Sequence, residues 1–126
     1  MNGKRLPNGF GRSKRLLLTR DFGRVYMTRR RAADDRLVVY AAPNQMCESR
    51  LGVSVGKKVG NSVERNRIKR LLREAFRTAG DNLPAGFDFV AVARKGSRDA
   101  GFDGIKSSLT QLALAVCRRW EKRYRE

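Results

Sequence analysis

Residues 57–77, KKVGNSVERNRIKRLLREAFR, constrain the fold more than any other stretch of the chain. Asn61 followed by Glu64 is the pattern of a capping box, in which an N-cap side chain and a carboxylate three residues on satisfy each other's backbone donors. Ile68, Leu71, Leu72, Ala75 and Phe76 recur at i, i+3, i+4, i+7 and i+8, the spacing of one buried helical face. Gly80 supplies the stop. On a wheel advancing about 100° per residue from Ile68, these apolar residues fall within about 80° of it, while Asn66, Lys69, Arg70, Arg73 and Arg77 fill an arc from about 100° to 200°. The stretch reads as a helix with fixed ends, one face for a core and a row of cations along its length.

The remaining pattern supplies what that helix packs on. Residues 1–14 read as a basic, flexible arm. LTRDFGRVYM offers Thr19 as an N-cap and Phe22, Val25 and Tyr26 at helical spacing. TRRRAADDR reads as a polar connector. Leu37 to Ala42 is a strand ended by Pro43, and NQMCESR a turn. Leu51 to Lys57 alternates, with Leu51, Val53 and Val55 on one side and Gly52, Ser54 and Gly56 on the other. Two strands joined by a short polar loop predict a hairpin. Phe87 to Ala93 is a third strand and residues 95–104 a loop. Ile105, Leu109, Leu112, Ala113, Val116 and Trp120 mark a final helix, followed by a charged tail at 121–126. The order helix, strand, strand, helix, strand, helix predicts one α+β domain, an α/β sandwich, over residues 15–120.

Charge selects the class of partner. The chain has 29 Lys and Arg against 12 Asp and Glu, a net charge of +17. Such self-repulsion points to a polyanion, with nucleic acid ahead of a membrane surface. Eight of those cations and only Glu64 and Glu74 among the acids lie within residues 57–77. No apolar run approaches the ~20 residues of a membrane span, and no signal-type segment opens the chain, so a cytoplasmic location is expected. Cys47 and Cys117 are too few for a disulfide framework and too far apart for a zinc motif.

Chemistry by the protein itself is disfavoured. There is no His, which removes the commonest general base and metal ligand. Asp34, Asp35, Asp81, Asp88, Asp99 and Asp103 are scattered, whereas two-metal phosphodiester cleavage needs clustered carboxylates. A stand-alone nuclease is therefore hard to assemble. The start of the central helix favours an anion through its free N–H groups and dipole, flanked by Lys57 and Lys58. Arg65 and Arg67 straddle Asn66, and Gly60 reads as a sharp turn or a point of close RNA approach. Phe22, Tyr26 and Tyr40 on their own read as core more readily than as a stacking platform. A structural RNA-binding protein and a nucleoid-type DNA binder remain as alternatives.

KKVGNSVERNRIKRLLREAF resembles the signature of the protein subunit of bacterial ribonuclease P, an R-N-R segment led by Lys-x-x-Gly-Asn. LTRDFGRVY, RLVVYAA, RLGVSVGKKVG and FDFVAVARKG resemble the family's other elements in the right order, over about Arg15 to Trp120. The resemblance implies an α/β sandwich with a left-handed βαβ crossover around the central helix. It implies a subunit that joins a catalytic RNA, the holder of the active site, in an endoribonuclease that removes the 5′ leader from precursor tRNA. The protein alone would not be catalytic. Lys57, Lys58, Gly60, Asn61, Arg65, Asn66, Arg67 and Arg70 would face the catalytic RNA. Phe22, Tyr26, Tyr40, Lys69 and Arg73 would take the single-stranded leader. A divalent metal, Mg²⁺, would be held mainly by RNA phosphates, with Asn61 or Asn66 in an outer shell. The implied partners are the catalytic RNA and precursor tRNA, with no membrane and no small-molecule substrate.

Overall fold

The computed structural model describes residues 19–125, with side chains from 21 to 121. The arm assigned to residues 1–14 and the Thr19 cap lie outside the described residues and side chains. The elements follow as α1 (Thr19–Met27), β1 (Arg31–Ala33), β2 (Leu37–Pro43), β3 (Arg50–Ser54), α2 (Ser62–Ala79), β4 (Phe87–Ala93) and α3 (Phe102–Arg125), with 3₁₀ turns at Gly80–Asn82 and Lys95–Ser97.

The four strands form one sheet in the order β1-β2-β4-β3. This overturns the hairpin expected between β2 and β3. β4 lies between them, antiparallel to β2 with Tyr40 opposite Val90, and parallel to β3 with Gly52 opposite Val90. The reason is in the β4 side chains. Phe89, Val90 and Ala91 are consecutive and fully buried, so both faces of the strand need cover, which a central position supplies. β3, with Gly52 and Ser54 on one face, suits an edge. Its five residues end at Ser54, short of the Lys57 expected.

Two further expectations fail locally. The polar connector contains β1, a three-residue edge strand paired with β2, Arg31 opposite Tyr40 and Ala33 opposite Val38. Three residues are too few for a periodicity to register. Asp34 shapes its turn, with Oδ1 accepting from the N–H of Arg36 at 2.8 Å and of Leu37 at 2.9 Å. The loop before the last helix is shorter than 95–104, because α3 begins at Phe102.

Alternation along the strands divides the core. On one face Leu37, Val39, Ala41, Leu51, Phe89 and Ala91 meet Ile68, Leu72, Ala75 and Phe76 of α2 and Ile105, Leu109, Ala113 and Val116 of α3. Leu71, expected in this set, is only partly buried at its margin. On the other face Val25 of α1 packs on Ala42 and Val90. Cys47 is exposed and Cys117 buried, both free. Burial pushes the Cys117 thiol up to about 12, aided by the charge of Glu121, which makes it inert packing.

Candidate nucleic-acid interface

α1 is only nine residues long and leaves much of its sheet face uncovered. Val38, Tyr40, Ser54 and Val92 are half-buried there. Phe22, Tyr26 and Tyr40 are brought together on this face. The Phe22 and Tyr26 rings meet edge-on at 6.4 Å between centroids, and Tyr26 and Tyr40 at 4.9 Å. Such edge-to-face pairs hold one another's orientation while leaving ring surface free for a further partner. Burial raises the Tyr26 hydroxyl above its ordinary range, while a hydrogen bond with Ser54 acts against the rise. Phe22 lies directly on Gly52: a Cβ there would come within 2.5 Å of the ring's Cζ.

A buried ionic cluster anchors this face. Asp88, fully buried, accepts from Arg50, Asn44 and Arg24. Burial pushes its carboxyl upward, but the hydrogen bonds of Arg50 and Asn44 and the charges of Arg50 and Arg24 outweigh it and hold the group below the usual carboxylate range. Arg24 sits between Phe22 and Tyr26 in α1, so the bond fixes the helix that carries both rings. Sequence reasoning left Asp88 among the scattered acids; an acid inside the apolar run FDFVAVA was the signal available.

The central helix matches its predicted ends. Asn61 Oδ1 accepts from the Glu64 N–H at 2.9 Å, and Glu64 Oε1 accepts from the Asn61 N–H at 2.8 Å. Gly80 follows at φ 50°, a left-handed value that suits glycine. The cap changes what the helix start can do. Glu64 places a carboxylate there, held below its ordinary range by the Asn61 backbone N–H and by Arg98, so the site expected to receive an external anion already has an internal one. Gly60 has an internal reason too. A Cβ there would fall 2.4 Å from Glu64 Oε1 and 2.9 Å from Glu64 Cβ, so the glycine makes room for the cap.

The R-N-R segment divides its labour. Arg65 donates to Gly60 O at 3.2 Å and to Ser62 Oγ at 3.2 Å. Arg67 donates to Ala100 O at 2.7 Å, tying α2 to the loop after β4. Asn66 between them is exposed, as are Lys57, Lys58 and Arg70, while Lys69 and Arg73 are half-exposed. Arg77 pairs with Glu74. Since α2 packs on the opposite side of the sheet from α1, its cations and the aromatic trio form two separate surfaces. Among the described residues no group of three His, Cys, Asp or Glu side chains could hold a metal ion, and Asn61 Oδ1 is engaged in the cap. Asn66 is the better placed of the two asparagines to meet a hydrated cation. No helix among the described residues is long and apolar enough to cross a membrane.

A rigid basic helix on one side of a sheet and a half-covered aromatic face on the other define an α+β protein of the polyanion-binding class. A family profile described as Ribonuclease P matches residues 10–116, and the chain belongs to the ribonuclease P protein family. It is 44% identical over 101 residues to the ribonuclease P protein component of Lachnoclostridium phytofermentans, covering 80% of this chain and 87% of that protein. Against the component of Ectopseudomonas mendocina it is 50% identical over 96 residues, covering 75% and 71%. The solved RNase P protein of Staphylococcus aureus superposes with a TM-score of 0.72 at 34% identity, over 82% of this chain and 94% of that one. That of Thermotoga maritima gives a TM-score of 0.72 at 34% identity, over 79% and 94%.

Proposed function

We infer that this chain is the protein subunit of a ribonucleoprotein endoribonuclease that removes the 5′ leader of precursor tRNA, and that it works by binding and placement while the RNA partner carries the active site. The observation that carries this reading is the pairing of Phe22, Tyr26 and Tyr40 on a sheet face that α1 leaves half open. Single-stranded RNA is gripped by stacking on aromatic faces beside cations, whatever its sequence, and a 5′ leader is such a strand.

Asn66, Arg70, Lys57 and Lys58, with the remaining donors of Arg65 and Arg67, form the surface for the catalytic RNA. Gly60 and Asn61 serve it by shaping the helix start. Cations here screen the repulsion between two RNAs and raise substrate affinity. Lys69 and Arg73 join the leader only if it passes around the β3 edge, because they stand in the other layer. A divalent metal, Mg²⁺, held mainly by RNA phosphates, would supply charge stabilisation at the reacting phosphate. This chain's contribution to holding it would be Asn66, through a water. The setting is cytoplasmic.

The test is reconstitution. Protein alone should leave precursor tRNA intact, and protein added to the ribonuclease P RNA at low millimolar Mg²⁺ should promote removal of the leader. Tight RNA binding with no effect on cleavage would return the chain to the class of purely structural RNA-binding proteins.

A further inference from the structure

The turn after α1 gathers arginines that belong neither to the aromatic trio nor to the α2 stripe. Arg29 stands in the left-handed region at φ 58°, its N–H donating to Tyr26 O at 3.0 Å. This is a position after a helix end where glycine or asparagine ordinarily sits. Arg30 lies over the Trp120 ring, 5.1 Å from its centroid, and its buried Nε has no hydrogen-bond partner in the protein. Arg31 is exposed and directly opposite Tyr40, so both side chains project from the same face of the sheet. Trp120 Nε1 donates to Ala41 O at 2.8 Å, and Arg119 donates to Arg31 O.

The carboxylates of Asp88, Glu74 and Glu64 pair with Arg24, Arg50, Arg77 and Arg98. Glu121, the nearest acid along α3, acts on Cys117. The corner continues a line. Gly52, Val90, Tyr40 and Arg31 are successive register partners across the sheet, a row of about 14 Å at ~4.8 Å per strand. Phe22 covers its Gly52 end and Tyr26 meets Tyr40. The row therefore runs from aromatic to cationic, and ends at the sheet edge farthest from β3 and α2.

We propose that Arg29, Arg30 and Arg31 form an outer phosphate subsite of the aromatic face, which takes the backbone of the leader segment farthest from the cleavage site. Guanidinium groups suit phosphate through paired, planar donors. Stacking on Trp120 holds Arg30 in place before any strand arrives. The inference rests on the reading that the leader lies on the ring-lined face.

The experiment uses the reconstituted holoenzyme and three RNAs: a precursor with a leader long enough to cross the sheet, one cut back to the nucleotides beside the cleavage site, and mature tRNA. Arg29→Gly with Arg31→Ala should leave thermal unfolding at or above the parent value, since glycine relaxes the turn. Removing two exposed cation–phosphate pairs should weaken binding of the long-leader precursor about fivefold to tenfold. The salt slope should fall by about 1.4, at ~0.7 per phosphate on a single strand. Binding of the other two RNAs should not change. Tyr26→Leu is run alongside. If it weakens both precursors relative to mature tRNA while the arginine variant does not affect the long one, the subsite is overturned and the leader reading stands. Equal losses of the arginine variant on all three RNAs also overturn the subsite, assigning the corner to the catalytic RNA or the tRNA body. If Tyr26→Leu does not distinguish precursor from mature tRNA, the leader reading fails and the subsite with it.

Discussion

Arg50 holds Asp88 through two parallel hydrogen bonds, Nε to Oδ1 at 2.9 Å and Nη2 to Oδ2 at 2.7 Å. The pair joins neighbouring strands, Arg50 being opposite Asp88 in the parallel ladder. Arg24 reaches the same carboxylate from α1. One buried anion thus locks the edge strand, the central strand and the helix that carries the rings.

Asp88→Asn should cost about 2–4 kcal/mol at neutral pH, since it leaves cations without their buried partner; the solvent access of Arg24 keeps it below the extreme. The pH dependence has a definite sign. The folded pKa is lowered, so the carboxylate's contribution is complete above its unfolded value of about 3.9 and is lost as pH falls through the lowered one. Urea unfolding at pH 7 and near pH 3 should show the deficit of the variant shrinking with acid. A deficit that stays constant would mean that shape rather than charge is what Asp88 contributes.

Gly52→Ala tests the seat of Phe22. The added methyl meets the ring at 2.5 Å, so the ring or α1 must shift. Overpacking of this kind costs about 1–3 kcal/mol. Precursor tRNA binding should weaken more than mature tRNA binding if the displaced ring belongs to the proposed leader face. Full stability with unchanged precursor affinity would show that Phe22 moves freely and contributes no fixed platform.

The α2 helix was legible to the residue because its cues are local: Asn61, Glu64, an i, i+3, i+4 stripe and Gly80. β4 was legible as a strand, but its place was misread. Chain proximity favoured a hairpin of β2 and β3, whereas burial on both faces of β4 demanded the centre of the sheet. β1 was hidden because three residues carry no period. In the site, Phe22, Tyr26 and Tyr40 could be chosen from the sequence only by resemblance. Their meeting depends on register, Tyr40 opposite Val90 and Val90 opposite Gly52, which no single segment encodes. The ties of Arg67 to Ala100 and of Glu64 to Arg98 join segments more than 30 residues apart and leave no trace in spacing.

Gly60→Ala should act through the cap rather than through RNA approach. Its methyl would displace the Glu64 carboxylate, and loss of a cap costs about 0.5–2 kcal/mol. Asn61→Ala should cost a similar amount, and the double variant little more than either alone, since both break one reciprocal unit. Thermal unfolding of the three variants decides it. Additive losses would separate Gly60 from the capping box and restore a direct role at the RNA surface.

Under the proposed function the two faces of the sheet have distinct roles toward RNA. Lys69→Ala with Arg73→Ala removes cations from the α2 layer, and Tyr40→Leu removes a ring from the α1 layer. Tyr40→Leu should weaken precursor binding selectively by about 1–3 kcal/mol, the usual worth of a base stacked on an aromatic side chain, with little change in salt slope. The double lysine–arginine variant should lower the salt slope by about 0.7 for each single-strand phosphate released, or about 0.9 for each duplex phosphate. If its loss is confined to precursor tRNA, the leader bends around the β3 edge and touches both layers. If precursor and mature tRNA lose equally, Lys69 and Arg73 belong with Asn66 and Arg70 on the surface for the catalytic RNA, and the leader stays on the aromatic face.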